Sequence, residues 1–430
     1  MSRAEKIVWV CFAATSAQLA FLQPYLILVP GERTNLFSGL LCLLTLLAAI
    51  IFCRRGSIRI KSPEFLVSSA LLGLAVVSGL LSSTPFSASC RVFVLLASGL
   101  GGFWCARLLL NTPENQRRFE GLGLFLLAGI IILSFIGYFL SGQIEYLMPA
   151  HTHPLTNTIL LLSFAPLTLL SRQSRPLTVL GIVLLFSAYV VLCLSQRVSV
   201  IFIPVGLVAL GALFGALRLK HLLLVLLPAV LMVGYFSHQI LWWKVSREYP
   251  TYRLENYPFS LSIAKQHPFF GIGVRAPRQE FLKDYQVKYP YDTKEKFSQD
   301  VKDFATSDNI FLTFLTDLGA PFLLIYSVAL GFLFVKLTRL ALRPPPGFFF
   351  PPLALLLPLA MALVHFQLYD GLLFASNSWF FHLFLGLIPL RPRKLEELAT
   401  IVPQPGLSCS VFEPNLSSKS KVMGIEAGKS

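Results

Sequence analysis

Twelve apolar runs follow one another along this chain, near residues 7 to 29, 36 to 53, 65 to 82, 90 to 110, 120 to 140, 155 to 171, 176 to 194, 198 to 217, 222 to 240, 309 to 338, 348 to 369 and 372 to 390. Each is close to the roughly 20 apolar residues that cross a hydrocarbon core. With 55% hydrophobic and 13% charged residues in 430, the apolar side chains are massed rather than dispersed at the periods of a soluble fold. The reading is an all-α polytopic membrane protein of about 12 transmembrane helices. A single long polar interruption, residues 241–308, separates spans 9 and 10. Connections in compact proteins are short, and a long one crowded with Arg, Lys, Tyr, Asp and Glu points to function.

Orientation follows from counting Lys and Arg in the short loops. One set of alternate ends holds Arg3, Lys6, Arg54, Arg55, Arg59, Lys61, Arg107, Arg117, Arg118, Arg172, Arg175, Arg218, Lys220, Lys336, Arg339, Arg343, Arg391, Arg393 and Lys394; the opposite short ends hold only Arg33, Arg91 and Arg197. Both termini are therefore expected in the cytoplasm and the 241–308 loop outside. The formal net charge of +15 follows the same pattern. Basic residues on cytoplasmic loop ends face anionic headgroups, which makes the charge a topology signal and not a nucleic-acid footprint. The expected division is residues 1–240 for spans 1 to 9, 241–308 for the outer substrate-binding loop, 309–390 for spans 10 to 12, and 391–430 for a disordered cytoplasmic tail rich in Ser, Lys, Glu, Pro and Gly.

None of the seven cysteines falls in the outer loop, so no disulfide framework is expected, and their spacing fits no zinc or iron–sulfur site. The seven histidines are scattered, with His151-x-His153 the one close pair. We expect no metal and no cofactor.

Within the loop, Leu254, Tyr257, Phe259, Leu261, Ile263 and Ala264 recur at the spacing of an amphipathic helix that ends before His267-Pro268 and lies along the membrane surface. Residues 283–303 read as a solvated hairpin or lid. Ser307-Asp308-Asn309 is a helix N-terminus signal leading into span 10.

Four groups could carry chemistry. Arg197, in Ser195-Gln196-Arg197 at the outer junction of spans 7 and 8, is either an interfacial Arg that snorkels or a ligand for a substrate anion. Arg275 and Arg278 follow Gly271-Ile272-Gly273, where two glycines let backbone amides approach an oxyanion and a guanidinium fork matches phosphate. The third glycine of a dinucleotide fingerprint is missing, and Ser262-Ile263-Ala264-Lys265 lacks the partner motifs of a penicillin-binding nucleophile. Asp308 reads equally as a helix cap and as a general base.

The segment from Arg253-Leu254-Glu255, through Tyr257 where Trp is common, to Lys265-Gln266-His267-Pro268-Phe269-Phe270-Gly271-Ile272-Gly273 resembles the O-antigen ligase and O-antigen polymerase superfamily of bacterial inner-membrane glycosyltransferases. So do Ser195-Gln196-Arg197, Ser307-Asp308-Asn309-Ile310-Phe311-Leu312 and Asp317-Leu318-Gly319, and so does the layout with one large outer loop late in the chain. The resemblance implies a multi-pass protein of the bacterial inner (cytoplasmic) membrane. It implies transfer of a glycan from undecaprenyl diphosphate at the periplasmic face to an acceptor hydroxyl on lipid A core, on another repeat unit or on a protein. Arg197, Arg275 and Asp308 would then be catalytic, and Arg253, Arg278, Gly271, Gly273 and Asn309 would bind substrate. Asp308 stands where the family usually has histidine. Either it replaces that base in role, or the reaction depends mainly on stabilising the leaving group. The competing reading is a transporter or flippase of lipid-linked oligosaccharide, which would show two related halves; no duplication is evident.

Overall fold

The computed structural model describes residues 3–22, 36–52, 62–141, 249–286, 297–299, 301, 307, 309–342, 352–367 and 371–388. Spans expected at 155–171, 176–194, 198–217 and 222–240, and the tail at 391–430, lie outside the described residues.

The described secondary structure is helical throughout. Helix α1 (Arg3–Ala17) runs through a π turn (Gln18–Leu22), and α2 (Leu36–Phe52), α3 (Pro63–Leu81), α4 (Pro85–Leu109) and α5 (Pro113–Ser141) follow. The outer loop contributes α6 (Tyr249–Gln266). Then come α7 (Ile310–Leu318), α8 (Ala320–Leu342), α9 (Pro352–Phe366) and α10 (Ala375–Gly386). Proline opens α3, α4, α5 and α9, where its missing N–H has no intrahelical partner to lose and its fixed φ suits the first turn. Among the described residues α3, α4 and α8 are long and apolar enough to cross a membrane. The chain is a multi-pass membrane protein. Exposed Leu324, Val328, Phe332 and Val335 line one side of α8, as a lipid-facing stripe requires.

Helix α4 is the axis of the bundle and packs along α10 and α2. Close approach is built in at Gly102, where a Cβ would stand 2.4 Å from the Trp379 carbonyl oxygen of α10. Small residues at helix contacts are how apolar bundles gain packing in lipid, where burial against a neighbour removes no water. Phe12, Phe119, Trp379 and Phe384 meet in tilted ring contacts at the centre. Buried polar groups there are paired across helices: Thr15 with Thr45 at 2.7 Å, and Gln18 Nε2 donating to Ser38 Oγ at 2.9 Å. The described cysteines Cys11, Cys42, Cys90 and Cys105 are not joined in disulfides.

One span departs from expectation. The run at 309–338 is two helices, because Gly319 takes φ +86° and breaks the chain between α7 and α8. A Cβ at Gly319 would lie 2.2 Å from the Phe269 carbonyl oxygen, and Ala320 N donates to Pro268 O at 2.7 Å. The turn after α6 is thus wedged against the break, and α7 becomes a short helix separate from the membrane-length α8.

Candidate active site

The site is built where the α6–α7 segment meets the α3–α4 corner. Helix α6 ends at Gln266, as the sequence pattern anticipates, but its buried face is not simply apolar. Glu255, Asn256 and Ser260 are buried on it together with Phe259 and Ile263. That face is covered by protein, with Phe259, Ile263, Ile272, Ala276, Leu282, Tyr285, Phe297 and Val301 forming a small core of their own. A helix merely resting on a bilayer surface is therefore excluded for this face. The solvated-hairpin reading of 283–303 also needs correcting: Tyr285, Phe297 and Val301 are buried, with the Phe297 ring edge-on to Phe259 at 5.7 Å.

From α6 the chain turns through Gly271 and Gly273, which have φ of +65° and +97°. Their amides are engaged by main-chain carbonyls: Gly271 N donates to His267 O at 3.2 Å, and Gly273 N to Asp317 O at 2.9 Å. Ile272 N donates to Thr316 O at 2.9 Å. A Cβ at Gly271 would meet the Asp317 carbonyl carbon at 2.4 Å, and one at Gly273 the Ser82 hydroxyl at 2.4 Å. The absent side chains let this strand of chain pass between the end of α7 and the α3–α4 corner.

Asp317 is the hub. Its Oδ1 accepts from Arg278 Nη2 at 2.8 Å and its Oδ2 from the Arg275 backbone N–H at 2.9 Å. Its carbonyl accepts from Ser78 Oγ of α3 at 2.8 Å. Arg278 is only 2% exposed. Its Nη1 donates to Ser307 Oγ at 2.9 Å and Ser260 Oγ at 3.2 Å, and its Nη2 also reaches Thr316 Oγ1 at 3.0 Å. A guanidinium so enclosed is tolerable because a full carboxylate and several hydroxyls replace its water. Arg278 fastens α6, the Gly-x-Gly loop, Ser307 and α7 to one another.

Arg275 has the same neighbour and a different posture. Its φ is +52°, the sole positive value for a non-glycine among the described residues. Such a conformation costs of order 1–3 kcal/mol and persists where its surroundings over-determine it. Asp317 holds its amide, and Arg91 of α4 donates from Nη1 to the carbonyls of both Val274 (3.1 Å) and Arg275 itself. The half-buried guanidinium stands 5.1 Å from the centre of the Phe374 ring, at the start of α10.

Asn309, not Asp308, caps α7: its Oδ1 accepts from the Phe311 and Leu312 amides at 3.1 Å each. Its Nδ2 donates to Gln367 O at 3.2 Å and Gln367 Oε1 at 3.3 Å, while Tyr257 Oη donates to Gln367 O at 3.3 Å. Asp308 and Arg197 lie outside the described residues, and Arg253 stands in the second turn of α6. The structure thus brings together Arg275, Arg278, Gly271 and Gly273, with Asn309 at the far end of α7.

Sequence reasoning placed Asp317 and Ser307 in motifs without giving either a role at the site, counted Arg91 only as one of three Lys or Arg on the expected outer short ends, and passed over Ser260 and Phe374.

Residues 158–327 match the O-antigen ligase family model, a stretch that contains Arg197, Arg253, Arg275, Arg278, Asp308, Asn309 and Asp317. No curated protein matches the chain. With Arg275 and Arg278 held on the Asp317 carboxylate and Gly271 and Gly273 packed beside it, the chain carries over residues 158–327 a domain that matches the O-antigen ligase family.

Proposed function

We propose that this protein is an inverting, metal-independent glycosyltransferase that moves a glycan from undecaprenyl diphosphate to an acceptor hydroxyl at the periplasmic face of the bacterial inner membrane. The acceptor is a lipid A core, a second lipid-linked repeat unit or a protein side chain. The observation that carries this reading is Arg275, held in a left-handed backbone conformation by clamps on both of its flanking peptides, within a domain of the ligase family.

In such a transfer the acceptor oxygen attacks the anomeric carbon, its proton leaves to a base, and the glycosidic C–O bond breaks with its electron pair passing to the diphosphate. Charge therefore develops on a phosphate oxygen. A preorganised guanidinium stabilises it without reorganising during the step. Arg275 takes that role, Arg197 and Arg253 are its proposed helpers, and Arg278 holds the loop on which Arg275 is carried. Asp308, immediately before the α7 cap, is the proposed base, with Asn309 fixing its place. Helix α7 has nine residues, about 13 Å at 1.5 Å per residue, with Asn309 and the Asp317–Arg275 contact at its two ends. That span leaves room for a sugar ring between base and diphosphate. Attack opposite to the leaving group then inverts the anomeric centre.

Arg275→Ala is expected to abolish glycan transfer by purified protein while membrane insertion and yield stay normal. Full activity in that variant refutes the assignment. The same assay, with products resolved as a polymer ladder, a core-linked glycan or a modified protein, identifies the acceptor. A transporter would form no new glycosidic bond.

A further inference from the structure

Arg91 lies on α4, 184 residues from Arg275 in sequence and outside the stretch matched by the family model. A cation seven residues into an apolar helix would ordinarily be read as snorkelling to the interface. Its hydrogen bonds say otherwise. One nitrogen, Nη1, donates to two consecutive main-chain carbonyls, Val274 O and Arg275 O. Consecutive carbonyls point the same way in helical conformations and opposite ways in extended ones, so a single donor between them selects the helical kind. The form adopted is the left-handed one, with φ +52° at Arg275, and the N–H of the Val274–Arg275 peptide is tied to Asp317 Oδ2 on its other side. The orientations of the two peptide planes around a Cα are its φ and ψ. Arg91 grips both planes and Asp317 grips one.

The loop is seated on the same corner of the bundle. Gly273 lies so close to Ser82 and Ala88 that a Cβ there would come within 2.4 Å of the Ser82 hydroxyl and 3.2 Å of the Ala88 methyl. We infer that Arg91 is a positioning residue for glycan transfer, acting through Arg275: it keeps that residue at positive φ and so aims its guanidinium past Phe374 at the diphosphate. The inference rests on the reading of Arg275 given above. Without Arg91, Arg275 relaxes toward negative φ and its side chain swings away while the Arg278–Asp317 pair keeps the loop folded.

The test uses full-length purified protein in lipid nanodiscs, with undecaprenyl-diphosphate-linked glycan extracted from the host membranes as donor. Arg91→Met should lower kcat by about a hundredfold, the scale of a catalytic group displaced by about an ångström, with donor KM changed much less and the melting temperature near that of the parent. Arg91→Lys, whose ammonium keeps N–H donors on a shorter stem of different geometry, should recover part of the loss. In an Arg275→Lys background, replacing Arg91 should cost little more, because the group it aims has already been changed. A kcat for Arg91→Met within about twofold of the parent overturns the inference, as does additivity of the two losses. If Arg91→Met cannot be purified, Arg91→Lys decides alone: parental kcat overturns the inference, and a reduced kcat at unchanged melting temperature upholds it. Arg275→Ala is run alongside, and activity in that variant defeats the function itself whatever Arg91 does.

Discussion

Two buried regions of this molecule hold themselves together by different means. The bundle around α4 is apolar, with ring contacts between Phe12, Phe119, Trp379 and Phe384 and a glycine at the tightest helix approach. The candidate site is equally buried but is organised by one ion pair, Arg278–Asp317, with both side chains 1% exposed. Many weak contacts share the load in the first region, so loss of any one polar group is absorbed locally. In the second a single residue, Asp317, holds two arginines with its carboxylate and ties α7 to α3 through its carbonyl. The comparison teaches that the site's geometry is more fragile than the fold that carries it, and substitutions can test this directly.

The largest effect is expected at the hub. Asp317→Asn keeps the shape but removes the charge, leaving Arg278 enclosed without its counter-ion, and breaking one partner of a buried pair costs about 3–5 kcal/mol. Thermal unfolding in detergent should show a marked loss of stability, with glycan transfer lost even in the folded fraction. If Asp317→Asn unfolds like the parent, the ion pair does not organise the site.

A matched pair of small changes sharpens the contrast. Ser98 Oγ in α4 donates only to the carbonyls of Val94 and Leu95, one turn back in its own helix. Ser98→Ala should therefore shift stability by less than about 0.5 kcal/mol, since such back-bonding adds little to a helix. Ser307 Oγ accepts from Arg278 and pairs with Ser260 at 2.9 Å. Ser307→Ala should cost about 1–3 kcal/mol, because it strips an acceptor from a buried charge. Equal melting temperatures for the two variants would erase the distinction between the regions.

The same contrast explains what was readable beforehand. Apolar runs at 65 to 82 and 90 to 110 announced α3 (63–81) and α4 (85–109), because the membrane demands contiguous hydrophobicity and Pro63 marks an entry. The break at Gly319 was hidden inside a run long enough to read as one span in spite of Asp317 and Pro321, since what forces it is the distant Phe269 carbonyl. In the site, Arg275 and Arg278 looked alike: two arginines three residues apart after a Gly-x-Gly. Their separation into a clamped, half-buried residue and an enclosed staple depends on Asp317, Ser260 and Ser307, whose convergence no local pattern encodes. Gly271 and Gly273 were singled out for the right property, backbone freedom. It serves close passage against α7 and Ser82, with the Gly271 and Gly273 amides held by His267 and Asp317 carbonyls.

The smallest effect is expected where the site touches the bundle most lightly. Phe374 opens α10, and its ring lies 5.1 Å below the Arg275 guanidinium. A partly exposed cation–π contact contributes about 0.5–1 kcal/mol, which corresponds to a few-fold change in an equilibrium. Phe374→Leu keeps apolar volume at the head of α10 and removes only the ring's negative face. The bundle should not register the change, so the melting temperature should stay within a degree or two, about what 0.5 kcal/mol produces in a chain of this size. Transfer should fall by roughly two- to five-fold, the kinetic equivalent of that contact. Phe374→Tyr, which retains the ring face, should be nearly silent. A loss of a hundredfold in Phe374→Leu would mean that the ring, and not the backbone clamps of Arg91 and Asp317, is what aims Arg275, and the division between a robust bundle and a tightly specified site would have to be redrawn with α10 on the side of the site.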